Sequence, residues 1–156
     1  MKVIKELIPY VVILVVVIFI RTFIVTPVIV SGTSMDNTLK DGEILLLNKF
    51  DKNYARYDII IFDYNDSKLV KRIIGLPGET IEYKDGILYV NGKETDDSFA
   101  AITNNFKLDE VIPEGYYFVM GDNRNNSSDS RIIGLINEKS INGTTSFSLW
   151  PFKFVK

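Results

Sequence analysis

SKLVKRIIGLPGETIEYKDGILYVNG, running from Ser67 to Gly92, is a set of short apolar runs cut by turn dipeptides. The runs Lys68–Ile74, Thr80–Lys84 and Ile87–Val90 are too short for helices and rich in the β-branched and aromatic residues that suit strands. Pro77-Gly78 separates the first two, and Asp85-Gly86 joins the last two as a two-residue hairpin turn; Asn91-Gly92 turns the chain again directly afterwards. This spacing predicts antiparallel β structure. Working outward, Glu43–Phe50, Asp58–Tyr64, Tyr116–Met120 and Thr144–Trp150 repeat the pattern. Thr95–Gly115 lacks periodicity and reads as a long loop or small insertion, with no chemistry assigned to it. The fold class is therefore mainly β, an antiparallel sheet domain.

The N-terminal part departs from this pattern. Leu7–Val25, LIPYVVILVVVIFIRTFIV, would span roughly 28 Å as a helix, close to the hydrocarbon thickness of a bilayer. The Val/Ile richness would suit a buried strand pair, but the polar interruptions that bound strands are missing between Ile8 and Ile20, which disfavours it. A secretory signal peptide is the alternative reading, with Ser31 and Gly32 as small residues at a cleavage point, but the apolar run exceeds the usual core of such a peptide. Arg21 is tolerable near the far end, where its stem lies along the apolar face and its guanidinium reaches the interface. Lys2 and Lys5 precede the run and no lysine follows until Lys40, so the positive-inside bias puts residues 1–6 in the cytoplasm, a single transmembrane helix over 7–25, and residues 26–156 outside.

The 156 residues carry a formal net charge of -2 and no basic run, which argues against nucleic acid as a partner. They contain no histidine and no cysteine. A Ser-His-Asp triad, a cysteine nucleophile and the common His/Cys zinc sites are therefore impossible. Ser34 in SGTSMDNTL (Ser31–Leu39) lies in a small-residue turn, where Gly32 permits unusual backbone angles. Such a turn can expose a hydroxyl and aim N–H groups at an oxyanion, although most serines in these loops are ordinary turn residues. Its base would have to be lysine, carboxylate, tyrosine or a metal-bound water, with lysine the best precedented.

Lys71 in LVKRII shares a strand face with Leu69 and Ile73 by period-two alternation. Two readings are open from spacing alone. Burial among apolar groups would desolvate the amine and lower its pKa, as a base requires. An edge-strand lysine with its ammonium in water would instead discourage aggregation. The third polar segment, GDNRNNSSDSR (Gly121–Arg131), follows the apolar run YYFVM. It reads either as a solvated turn or as a fixed network in which Asp122 or Asp129 accepts from Arg124 or Arg131. Its spacing does not match a calcium loop, so no metal is expected.

Taken together and in this order behind an N-terminal anchor, SGTSM, VKRIIGLPGE and GDNRNNSSDSR resemble the signature boxes of bacterial type I signal peptidases, in their compact Gram-positive form. The resemblance covers essentially the whole chain. It implies a membrane-bound serine endopeptidase on an all-β fold that removes signal peptides from exported preproteins through a Ser-Lys dyad and an acyl-enzyme, with no cofactor. Ser34 matches the nucleophile and Lys71 the general base. Ser127 matches the serine that hydrogen-bonds and orients the lysine, while Asp129 and Arg131 match paired charges that brace the site, with Asp122 in the same network. The backbone N–H of Ser34 would be the main oxyanion donor; Gly32 stands where some relatives supply a second from a serine hydroxyl. Val28, Val30 and Val70 correspond to positions lining a shallow pocket for small residues, typically Ala, at minus one and minus three.

One departure is visible: the family's SMxPT is here SMDNT, and Asn37 in place of proline leaves the backbone freer. The absence of histidine separates the chain from archaeal and endoplasmic-reticulum relatives, and the anchor separates it from the self-cleaving repressors. A non-catalytic assembly factor for surface proteins or pilins on the same scaffold is the alternative; its mark would be loss of Ser34 or Lys71. The expected partners are exported preproteins and the lipid bilayer.

Overall fold

The computed structural model describes residues 2–23, 25–99 and 102–155. The expected anchor reaches Ile24, and the expected loop includes Ala100 and Ala101; these lie outside the described residues. Helix α1 spans Lys2–Phe23. Its residues Leu7–Ile20 leave one apolar side chain after another exposed. Among the described residues, no helix is long and apolar enough to cross a membrane. Val25 already belongs to strand β1, Val25–Ile29. Arg21 falls in the last turn of α1, and the Thr26 hydroxyl and Lys49 ammonium donate to the carbonyls of Arg21 (3.0 Å) and Thr22 (3.1 Å). These donors occupy backbone acceptors that a helix C-terminus leaves open.

The remainder is β-rich. Next come β2 (Ile44–Asn48), β3 (Ile59–Tyr64), β4 (Ser67–Gly75), β5 (Ile81–Lys84), β6 (Ile87–Val90) and β7 (Lys93–Thr95). They are followed by β8 (Phe106–Lys107), β9 (Tyr116–Met120), a short helix α2 (Ser130–Ile133), β10 (Ile136–Asn137), β11 (Ile141–Thr145), β12 (Phe147–Trp150) and β13 (Phe152–Phe154). The larger sheet has the order β10-β9-β4-β3-β11-β2-β12-β13, with β1 paired to β2 outside that path; the smaller has the order β7-β6-β5-β8. All pairings are antiparallel.

The expected strands are present with ends shifted by a residue or two, and the Asp85-Gly86 hairpin joins β5 to β6. Asp85 (φ 52°) and Gly86 (φ 82°) both adopt the left-handed conformation such a turn requires. Thr144–Trp150 is corrected: Ser146 divides it into β11 and β12. Thr95–Gly115 is corrected too, because Thr95 closes β7 and Phe106–Lys107 pairs with β5. A strand of two residues has no periodicity to read.

Both faces of the central strands are covered. Tyr117 and Val119 of β9 pack with Ile60, Phe62 and Ile73 on one side. Phe118 and Met120 pack with Ile81, Tyr83 and Leu88 of the smaller sheet on the other. A further cluster of Val30, Met35, Leu39, Leu45, Ile59 and Val155 lies beneath the turn that follows β1, with Val70 against it. The C-terminal hairpin leaves Trp150, Phe152 and Phe154 exposed, whereas Phe147 packs edge-on to Phe154, ring centroids 5.3 Å apart.

Candidate active site

The turn carrying Ser34 is built from local bonds and a buried base. The ladder of β1 runs one residue further, with Val30 N–H donating to Glu43 O (2.8 Å) and Gly42 N–H to Val30 O (2.9 Å). Gly32 then turns the chain at φ +95°, a left-handed angle that favours glycine. Its N–H donates to Asp41 Oδ1 at 2.7 Å. Asp36 N–H reaches back to Thr33 O, and Thr38 and Leu39 N–H to Met35 O. Met35 and Leu39 anchor this turn in the apolar cluster below. From the far side, Lys153 of β13 donates to Thr38 O (3.0 Å) and to Glu43 (2.7 Å).

Lys71 comes from β4, and its Nζ lies 2.8 Å from Ser34 Oγ and donates to Val70 O at 3.0 Å. The residue is 2 % exposed, so the edge-strand reading with a solvated ammonium does not hold. Burial holds the amine pKa below its usual 10.5, against the opposing pull of the Asp129 and Asp122 carboxylates. Once it loses its proton, an amine so placed beside a serine hydroxyl can accept the hydroxyl proton.

The polar segment Gly121–Arg131 is a fixed network that clasps the Ser34 turn. Asn123 N–H donates to Ser34 O and its side chain to Thr33 O, both at 3.0 Å. Asn126 reaches Thr33 Oγ1 at 2.8 Å. Asn37 donates to Asp122 O at 3.1 Å, so the asparagine that stands in for proline binds its turn to the far segment. Space here is tight: a Cβ on Gly121 would come within 2.5 Å of Ser34 O and 2.3 Å of Ser127 Oγ.

The charges pair differently from the simplest expectation. Asp129 takes Arg131 in a two-pronged contact (Nε to Oδ1 2.8 Å, Nη2 to Oδ2 2.9 Å), accepts Gly121 N–H at 3.0 Å and caps α2. Burial would raise the Asp129 pKa, but the Arg131 and Gly121 hydrogen bonds outweigh it and leave the carboxyl below its ordinary value. Asp122 pairs with Arg72, not with Arg124 or Arg131. Arg72 Nε and Nη2 meet its two oxygens at 2.9 and 2.7 Å, both residues are fully buried, and the Thr38 hydroxyl donates to the same carboxylate. Arg124 turns instead to Asp97 (2.6 Å), Thr103 (2.6 Å) and Tyr83 (3.0 Å). The aperiodic stretch after Thr95 thus supplies partners to the network. Arg72 had a signal in the sequence: alternation sets it opposite Lys71 on an apolar strand, where a charge must find a partner.

The Ser127 Oγ is buried and makes no hydrogen bond to Lys71 here; its hydroxyl faces Asp129 and helps to hold that carboxyl below its ordinary value. The Lys71 amine is already met by Ser34 and the Val70 carbonyl. Val28, Val30 and Val70 do meet, lining with Ser34, Met35 and Lys71 a small cavity of ≈ 80 Å³. Among the described residues no cluster of acidic side chains could hold a metal ion.

A serine hydroxyl against a buried, pKa-lowered lysine, in a chain without histidine, is the arrangement of a Ser-Lys hydrolase. The family model for signal peptidase, peptidase S26, matches residues 3–150, and the chain belongs to that family. It is 42% identical to a signal peptidase I of Bacillus licheniformis, over 88% of this chain and 83% of the relative. It is also 41% identical to a signal peptidase IB of Staphylococcus aureus, over 86% and 82% respectively. A crystal structure of a signal peptidase I from Enterococcus faecalis V583 superposes with a TM-score of 0.56 at 38% identity, covering 59% of this chain and 96% of that one.

Proposed function

We propose that this chain removes signal peptides from exported preproteins as a type I signal peptidase, with Ser34 as nucleophile and Lys71 as general base. The observation that carries the reading is the buried 2.8 Å contact between Ser34 Oγ and Lys71 Nζ. Neutral Lys71 accepts the hydroxyl proton as Ser34 Oγ bonds to the scissile carbonyl carbon. The oxyanion is met by the Ser34 N–H, which makes no hydrogen bond among the described residues. Lys71 then returns the proton to the departing amine as the C–N bond breaks, leaving an acyl-enzyme. Water gives a proton to Lys71 as it attacks the ester carbonyl, and Lys71 passes that proton to Ser34 Oγ as the C–O bond breaks, which frees the acid product and restores the neutral amine. Asp122, Asp129 and Arg131 hold the frame of the site and take no proton.

The substrate enters as an extended strand. β4 pairs with β9 only from Arg72 onward, and β1 pairs only with β2, so among the described residues Ser67–Lys71 and β1 each have a free edge beside the cavity. A peptide backbone bonded along such edges presents alternate side chains to the valine-lined cavity, whose size suits an alanine methyl at minus one and minus three.

The family is membrane-associated, and we place α1 in the bilayer with the β-rich part outside the cytoplasm. Its apolar side chains from Leu7 to Ile20 stand exposed, as suits a lipid surround, and Lys2 and Lys5 precede them. The test is cleavage of a preprotein ending its signal in Ala-x-Ala by the full chain in detergent. Ser34→Ala and Lys71→Met abolish turnover while circular dichroism stays that of the parent. Full activity of Lys71→Met would overturn the assignment of the base, and absence of cleavage by the parent would overturn the function.

A further inference from the structure

The catalytic cavity does not end at Val28. Beyond it opens a wider hollow of ≈ 380 Å³ lined by Thr26, Val28, Leu47, Lys49, Lys68 and Asn142, and both Val28 and Lys68 line the two. Along β1 the order is Thr26, Val28, Val30, then Ser34, so the hollow lies on the side where α1 meets the β-domain. Lys49 marks that end by its bond to Thr22 O. The residues before a cut lead back to the apolar part of the signal, which on the proposed reading sits in lipid beside α1. They therefore run this way.

Spacing identifies the occupant. An extended peptide and the strand beside it share one rise per residue, about 3.3 Å, and both alternate faces. Minus one and minus three at the level of Val30 and Val28 put minus five at the level of Thr26. Of the polar groups there, Lys68 is already matched to Asp63 and Asn142, and the Asn142 amide donates to Asp63 at 2.8 Å. The half-buried Lys49 donates to a neutral carbonyl. Its ammonium is the charge left to meet a substrate.

Resting on the function proposed above, we propose that this hollow is a subsite for the minus-five residue of the preprotein, in which Lys49 selects an acidic side chain and disfavours a basic one. A carboxylate at minus five extends along Val28 and Leu47 to the Lys49 ammonium. A lysine there would bring a third ammonium beside two.

The experiment uses the full chain in detergent and preproteins identical except for Glu, Ala or Lys at minus five, comparing kcat/KM. Each step from Glu to Ala to Lys is expected to cost about three-fold, the range of a partly exposed ion pair, and the spread narrows as salt is raised. Within the Lys49→Gln variant the Glu-to-Lys ratio falls toward one, in Lys49→Arg it is retained, and in Lys49→Glu it inverts. A ratio near one in the parent, or one that neither salt nor Lys49→Gln alters, overturns the subsite. Failure of the parent to cleave any of the three substrates would count against the peptidase reading instead.

Discussion

Asp122→Asn removes one charge from a place where neither partner has any exposure. In the parent, Arg72 meets Asp122 through two bonds, and the Thr38 hydroxyl joins the same carboxylate. Asparagine keeps one acceptor for Arg72 Nε but turns an amide donor toward Arg72 Nη2 or Thr38, and the buried guanidinium loses the carboxylate charge it faces. Breaking a buried pair from one side costs about 3 to 5 kcal/mol. The low end applies, because Arg72 also donates to Tyr57 O at 2.8 Å and lies 3.8 Å from the Phe99 ring centroid. About 3 kcal/mol in a domain of this size lowers Tm by roughly 12 °C. Thermal unfolding of the full chain in detergent, followed by circular dichroism, measures it. Preprotein cleavage falls more than tenfold, since Asp122 holds the Ser34 turn through Thr38. A double variant, Arg72→Met with Asp122→Leu, removes both charges and is expected to unfold above Asp122→Asn. An Asp122→Asn melt within 3 °C of the parent would refute the view that this pair braces the site.

Cleavage should rise with pH as Lys71 loses its proton, with the rising limb below the ordinary lysine range because burial lowers the pKa. The unfolded chain still holds that proton between the folded pKa and 10.5, so Lys71 also makes stability rise with pH across that window. Asp129→Asn removes the carboxylate that most raises the Lys71 pKa, and the limb of the pH–rate profile shifts to lower pH; a shift to higher pH would contradict the electrostatics. Asn37→Ala deletes the bond to Asp122 O and costs about 1 kcal/mol, read as a lower Tm together with a lower kcat/KM; no change in either would mean that the tie is idle. Trp150, Phe152 and Phe154 are 67, 74 and 85 % exposed, and lipid vesicles added to an anchor-free chain should shift Trp150 emission to the blue; an unchanged spectrum argues against docking at the interface.

Much of this protein is legible without a structure. Asp85-Gly86 between two apolar runs dictates a hairpin because only residues tolerant of positive φ make that turn, and both angles are as required. The absence of histidine leaves lysine as the best candidate for a serine's base. Ser34 and Lys71 could be proposed as nucleophile and base only because their segments resemble a family's signature boxes, since spacing alone left each open to a bland reading. Partners across the fold could not be named the same way. That Asp122 takes Arg72, that Arg124 takes Asp97, and that Asn37 binds its turn to Asp122 O depend on which strands lie side by side, over separations no local pattern encodes. Lys71 is the plainest case: alternation left it either solvated at an edge or buried as a base. Only packing of the Ser34 turn over β4 removes water from the amine, and that desolvation is what lowers its pKa.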